Sequence, residues 1–437
     1  MLHDEDPQER LQLACSLGEW RDPHAAAALV KLGVQDADEP VIGDAAVSSL
    51  RADNVGDALS AVLAEDGDLP GAFVGKMMAT GVGYRQDSVV ARALDQLIAN
   101  QREGHARWKL EALVILSNKL RSQRRSLVDL PHFHAQAPHA ASARLARFLQ
   151  AMRRLVVDTQ AAVGDRICAI RLLAQPRDDN VTRLFSALLT PQEPAAVQAA
   201  AVEALAQMRE DRNADVLLSD WTSHSPQLRG QIVDALLARP TWTTLLLDAM
   251  EQGRVAAGEL DAPRRGQLAQ HRNEAVRRRA AALLSEASTP DREQVVQRWE
   301  SALLLDGQPQ RGAKAFAKLC AACHQLDGKG YAVGPDLAAL TDRSAKTLLT
   351  AILDPNQSID ARYLNYVAFT DEGRAFSGIL VRESDSSITL KTQENKEHTL
   401  QRTRLEEVQC TGQSLMPEGL EQDLNEEALA DLIAYIA

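Results

Sequence analysis

Cys320-Ala321-Ala322-Cys323-His324 is the one cluster in the chain whose residue types and spacing specify a chemistry. Two thiols three residues apart lie on one face if the local backbone is helical. Both can then reach the two vinyl groups of a single porphyrin, and the histidine that follows can turn its imidazole onto the iron. Cys-x-x-Cys-His is the attachment pattern of c-type haem. A redox-active Cys-x-x-Cys would belong with a βαβ pattern, which is missing around it. A zinc site would need a second ligand pair, which only Cys410 with His398 could supply. Cys15 and Cys168 fall inside apolar helical stretches and read as small buried residues. Three histidines, His132, His134 and His139, fall in one loop-like stretch with no cysteine or acidic cluster beside them, so they read as surface loop.

The elements that must position this motif follow from periodicity. Residues 1–300 read as helix after helix, with apolar residues at helical spacing in Pro7–Leu17, Asp44–Leu50, Ser88–Ile98 and Ala106–Leu120. Leu13-Ala-Cys-Ser-Leu-Gly recurs in character as Ala45-Ala-Val-Ser-Ser-Leu, 32 residues on. Ile170-Arg-Leu-Leu-Ala returns after 32 residues as Val202-Glu-Ala-Leu-Ala and after 31 more as Val233-Asp-Ala-Leu-Leu. Helix pairs at this period resemble HEAT-type repeats, which stack to bury a continuous core. Near residue 360 the pattern changes to period two. Tyr363 to Thr370 and Ala375 to Arg382 read as a hairpin, Ser387–Thr392 and Glu397–Arg402 as two more strands, and Leu405–Gln409 as a fifth. An amphipathic helix, Asn425 to Ala437, closes the chain.

Composition narrows the function. The 437 residues are 45% apolar and 25% charged, an ordinary globular balance with room for two to four domains. Aromatics are only 4%, which favours close-packed helices. The net charge of −12 divides into −5 over residues 1–300 and −7 over 301–437, so a basic nucleic-acid footprint is missing. The basic runs Lys119–Arg125 and Arg277–Arg279 read as solvated helix faces. Neither a membrane-spanning run nor a signal peptide is present in the sequence as given.

Residues around the motif resemble class I cytochrome c. Gly312, Phe316 and Cys320 form one stripe at spacing four, and Leu432 and Tyr435 lie at spacing three in the closing helix. The resemblance implies that Gly312 permits a close helix crossing and that Phe316 packs on Tyr435. It also implies that the loop Gly334-Pro335-Asp336-Leu337 lends the Pro335 carbonyl to His324 and packs Leu337 on the haem edge. Met416, in Ser414-Leu-Met-Pro-Glu-Gly-Leu, is the expected sixth ligand, with His398 or an open iron site as the alternatives. His324 and Met416 are 92 residues apart; leaving out residues 362–409 reduces this to 44, the separation of a small cytochrome.

Gln310–Phe316, the Cys-x-x-Cys-His motif, Val333–Leu337, Ala351–Asn356, Arg362–Tyr366 and Ser414–Leu420 together resemble the PVC-type haem-binding CxxCH proteins. That resemblance implies a mainly α chain: a HEAT-like α-solenoid over 1–290, then an all-α cytochrome c domain over 300–437 with a small antiparallel β-module inserted at 362–409. It implies one covalent haem c and electron transfer rather than catalysis by the chain itself. The partner would be a redox protein, such as a dehydrogenase. The chain would be exported, since haem c is attached outside the cytoplasm, and would be a short member or the C-terminal part of a longer protein. The alternatives are an electron-accepting segment of a dehydrogenase for sugars or alcohols, and a haem-containing interaction or sensor scaffold.

Overall fold

The computed structural model describes residues 2–437 apart from 38, 66, 100–105, 134–138, 176–177, 261 and 286–289. His134 therefore lies outside the described residues, and no group of three or more metal-ligating side chains occurs among those described. The chain is mainly helical with a small antiparallel sheet region. It divides into two compact units, residues 1–181 and 182–437.

The first unit contains α1 (Pro7–Glu19), α2 (Pro23–Gln35), α3 (Pro40–Ser48), α4 (Val55–Val62), α5 (Gly71–Gly83), α6 (Asp87–Ala99), α7 (Arg107–Ser122), α8 (His139–Val157) and α9 (Val163–Leu173). Three of the first helices start the same way. Asp6 and Asp22 cap α1 and α2 with their side chains, and proline occupies the first turn of α1, α2 and α3. Each helix packs on the next but one: α1 on α3, α2 on α4, and so on through α7 on α9. The apolar stripe of each helix is thus shared with neighbours on both sides, because one amphipathic helix cannot bury its own face. Cys168 is buried as expected, but Cys15 is exposed. Ala14 and Leu17 take the inner face of α1, and the 100° step per residue turns Cys15 outward.

The second unit begins within α10 (Asp179–Ser186) and continues through α11 (Ala195–Met208), α12 (Arg212–Leu218), α13 (Pro226–Leu237), α14 (Pro240–Glu251), α15 (Ala262–Ala269) and α16 (Glu274–Ser285). Again α11 packs on α13, α12 on α14, α13 on α15 and α14 on α16. Arg279 ties α16 to α14 through Asp248 at 2.6 Å and Glu251 at 2.8 Å, so this member of the basic run is paired within the unit. Then come α17 (Pro290–Arg298), α18 (Pro309–Leu319), the short strands β1 (Gln325–Leu326) and β2 (Lys329–Gly330), and α19 (Ala345–Leu353). Five longer strands follow: β3 (Leu364–Thr370), β4 (Ala375–Glu383), β5 (Ser387–Lys391), β6 (Glu397–Gln401) and β7 (Leu405–Ser414); α20 (Glu426–Ile436) ends the chain.

The five strands form one antiparallel sheet in the order β6-β5-β4-β3-β7. β7 runs to Ser414, five residues past the expected end of the module at 409, because its pairing with β3 continues across an irregularity to Leu364↔Ser414. On β3 the residues Leu364, Tyr366, Ala368 and Thr370 alternate inward. The sheet docks on the helices of its own unit. Gln192 Nε2 donates to the Leu405 and Glu406 carbonyls at 3.0 and 2.9 Å, on the edge strand β7. Asp385 accepts the Ala196 N–H at 2.9 Å and so caps α11. The Arg402 guanidinium, buried, donates to the Pro191 carbonyl at 2.6 Å and pairs with Glu383.

Candidate haem-attachment site

α18 and α20 cross at very close range. A Cβ on Gly312 would stand 2.0 Å from the Asp431 carbonyl oxygen, and one on Gly307 would stand 2.2 Å from that of Ala430. Only glycine fits at either position. Phe316, one turn beyond Gly312, places its ring centroid 5.6 Å from that of Tyr435. Phe316, Leu337, Leu348, Leu349, Leu353, Leu429 and Leu432 share one core, and Cys320, Leu420 and Leu424 pack against it.

A charged lock that left no periodic trace in the sequence sits beside the crossing. Asp431, buried on α20, accepts from Arg311 Nε at 2.5 Å and from the Gln308 N–H at 2.6 Å, the first turn of α18. Arg311's hydrogen bond holds the Asp431 carboxyl below the ordinary carboxylate range, against the opposing effect of burial. A carboxyl depressed in the folded state contributes its stability above the unfolded pKa of about 3.9 and loses it as pH falls through the lower folded value. Asp431→Asn should therefore lower the thermal midpoint at pH 7. The gap to the native chain should close as both are taken to about pH 2. A gap equally wide at both pH values would contradict the role given to the charge.

The motif follows α18 rather than lying within it. Cys320 is the C-cap, and residues 321–323 form a turn. The helical relation survives: Cys323 N–H donates to the Cys320 carbonyl at 3.0 Å and His324 N–H to the same oxygen at 2.8 Å. A hairpin that the sequence reading passed over then turns the chain back. Asp327 and Gly328 both have positive φ, 49° and 77°, as a tight two-residue turn between β1 and β2 requires. Asp-Gly was its available signal. The returning strand donates Tyr331 N–H to the Ala321 carbonyl at 3.0 Å and Val333 and Gly334 N–H to the Cys323 carbonyl at 3.0 and 2.7 Å. The Pro335 carbonyl arrives 3.0 Å from His324 Nδ1.

This contact fixes the tautomer. A carbonyl oxygen only accepts, so Nδ1 carries the hydrogen and Nε2 keeps its lone pair in the neutral ring. Burial lowers the His324 pKa, partly opposed by the Pro335 bond, and so favours that neutral ring. Gly334 packs closely against the imidazole; a Cβ there would be 2.6 Å from Cε1. Burial, with the neighbouring Cys323, pushes the Cys320 thiol up to about 11, and burial also raises Cys323. Reactive Cys-x-x-Cys dithiols have a lowered pKa, so these two are poor candidates for disulfide exchange. Two half-buried neutral thiols beside an imidazole with a bare Nε2 fit a porphyrin iron.

Met416 lies half-buried on the loop after β7, its N–H donating to Ser414 Oγ at 3.1 Å. Gly419, at φ +89°, turns that loop into the segment 420–423. His398 sits on edge strand β6 with its ring centroid 5.2 Å from that of Phe376. It lines a cleft of about 420 Å³ with Arg374, Glu397 and Arg404, and none of Cys320, Cys323 and His324 borders that cleft.

Residues 309–376 match the family model of cytochrome c, from the first residue of α18 through the motif and the Gly-Pro-Asp-Leu loop into β4, ending before Met416. No curated protein matches the chain. Among solved structures, the crystal structure of an engineered protein aligns with 69% of this chain and 92% of its own at 16% identity, with a TM-score of 0.27, too loose to carry an argument. The matched segment, with the paired thiols and the oriented imidazole at its centre, is a cytochrome c domain, of a family whose members bind haem c covalently and transfer electrons.

Proposed function

We propose that this chain passes single electrons through one haem c held by Cys320 and Cys323, with His324 and Met416 as axial ligands. The observation that carries the reading is the 3.0 Å contact of His324 Nδ1 with the Pro335 carbonyl, which leaves Nε2 with its lone pair free to bind iron, on the residue directly after the second thiol. When bound, the haem supplies an iron that gains and loses one electron. The residues of this chain hold it still. Pro335 fixes the plane and tautomer of His324. Leu337 and Phe316 supply apolar packing, and Met416 offers a soft sulfur that favours the ferrous state. The placement of His398 in a separate cleft supports Met416 over the alternative sixth ligand.

The next-but-one packing of α1–α9 and α11–α16, with the 31–32-residue period, supports a HEAT-like solenoid of the PVC-type proteins as the scaffold. No described helix is long and apolar enough to cross a membrane. Attachment of haem c outside the cytoplasm supports an exported chain with a redox protein, for example a dehydrogenase, as donor. Protein matured with haem should reduce and reoxidise reversibly by one electron and exchange electrons with a soluble carrier. A haem that does not cycle would leave a structural or sensory role instead.

A further inference from the structure

We propose that Asn356 is the positioning residue of the Met416 loop: its side-chain amide grips the loop on both sides of the methionine and aims the sulfur. The inference rests on Met416 being an axial ligand, as proposed above. Asn356 Oδ1 accepts the Ser414 N–H at 2.8 Å, and its Nδ2 donates to Glu418 Oε1 at 2.5 Å. Ser414 is two residues before Met416 and Glu418 two residues after. One planar group thus spans the segment from which the sulfur projects. Its orientation is forced, since the oxygen can only accept and the nitrogen can only donate.

The grip is mounted on a rigid element. α19 is capped by Ser344 and buries Leu348, Leu349, Ile352 and Leu353 in the cytochrome core. Asp354 ends it, buried, and the backbone N–H groups of Gln357 and Asn356 point at its carboxyl. This turn presents the Asn356 side chain to the loop. A further tie holds the loop's exit. Arg292 donates from Nε to the Leu353 carbonyl at 2.9 Å and from its terminal nitrogens to Glu421 at 2.9 and 3.1 Å. The loop from 414 to 421 is therefore fastened at three points to the end of α19, and Asn356 supplies the two that flank the methionine. A ligand on a loop so held has to break those bonds before it can leave the iron.

The test uses the full haem-loaded chain in the ferric form and reads the rate of cyanide binding, which requires the sixth ligand to move aside. Asn356→Ala should bind cyanide on the order of tenfold faster, the effect of losing a charge-assisted hydrogen bond and a neutral one. It should keep the near-infrared iron–sulfur band, since the methionine still ligates most of the time. Asn356→Asp with Glu418→Gln rebuilds both bonds with the donor and acceptor of the second exchanged, and should return the rate to within about threefold of the native chain. In the haem-free chain, Asn356→Ala should speed amide exchange at Ser414. A native cyanide rate in Asn356→Ala, with fast binding in Met416→Ala, would overturn the proposal and leave the ligand intact. A native rate and band in Met416→Ala would remove the ligand itself, and the proposal with it.

Discussion

Replacing Met416 with alanine should lower the midpoint potential by on the order of 0.1 V, a fraction of the range that axial ligands command. The thioether is a soft donor and stabilises ferrous over ferric iron. If Met416 ligates as proposed, its loss would give up that preference for the ferrous state. The ferric protein should also lose its weak near-infrared iron–sulfur band and bind imidazole readily. Potentiometry and the ferric spectrum check all three. A native protein that lacks the band, with potential and spectrum unchanged in the variant, would return the sixth position to His398 or to an open iron. Simple core packing by Met416 would give that result, because a packing defect does not shift an iron potential through its ligand field.

Arg229→Ala should cost about 3–5 kcal/mol in the second unit, the cost expected when a buried ion pair loses one partner. Arg229 Nη1 meets Glu259 Oε2 at 2.6 Å, with the two side chains only 5% and 6% exposed. The guanidinium also lies 5.3 Å from the Trp221 ring centre and 5.6 Å from that of Tyr366, on β3. It therefore joins the helices to the sheet by charge and by cation–π contact. Removing it strands a carboxylate whose remaining partners are Trp221 Nε1 at 2.6 Å and the Ala256 N–H at 3.2 Å. Hydrogen exchange on β3 and β7 reads the loss where it occurs. Arg229→Met with Glu259→Gln should recover much of it, since no buried charge is then left alone. Equal protection in Arg229→Ala and the native chain would mean that apolar contacts alone seat the sheet.

Local signals were legible and pairings across long sequence distances were not. The motif, the helical periods and all five long strands announce themselves within ten or so residues, because backbone period and turn chemistry are local. The Phe316–Tyr435 contact was within reach only through the cytochrome resemblance. Asp431 with Arg311, Arg229 with Glu259 and Asn356 with Ser414 join residues 120, 30 and 58 positions apart. None belongs to a pattern that one sequence displays, since a charged or amide residue on an amphipathic helix usually faces water. The sheet's seat on α11 and its preceding loop was invisible for the same reason. Cys15 misled because an apolar helix average says nothing about which way a single residue turns. The β1–β2 hairpin was missed although Asp327-Gly328 carried its signal, and it decides the site, as it carries Pro335 back to His324.

The most direct test of the account is whether haem stays on the polypeptide after unfolding. Protein matured with haem should be denatured and extracted with acid–acetone, and its mass measured. Colour should stay with the chain, and the intact mass should rise by one haem. Cys320→Ala and Cys323→Ala should each remove one thioether and lower the yield of loaded protein, and the double variant should release all its haem. Haem that partitions into the acetone from the native chain would contradict covalent attachment.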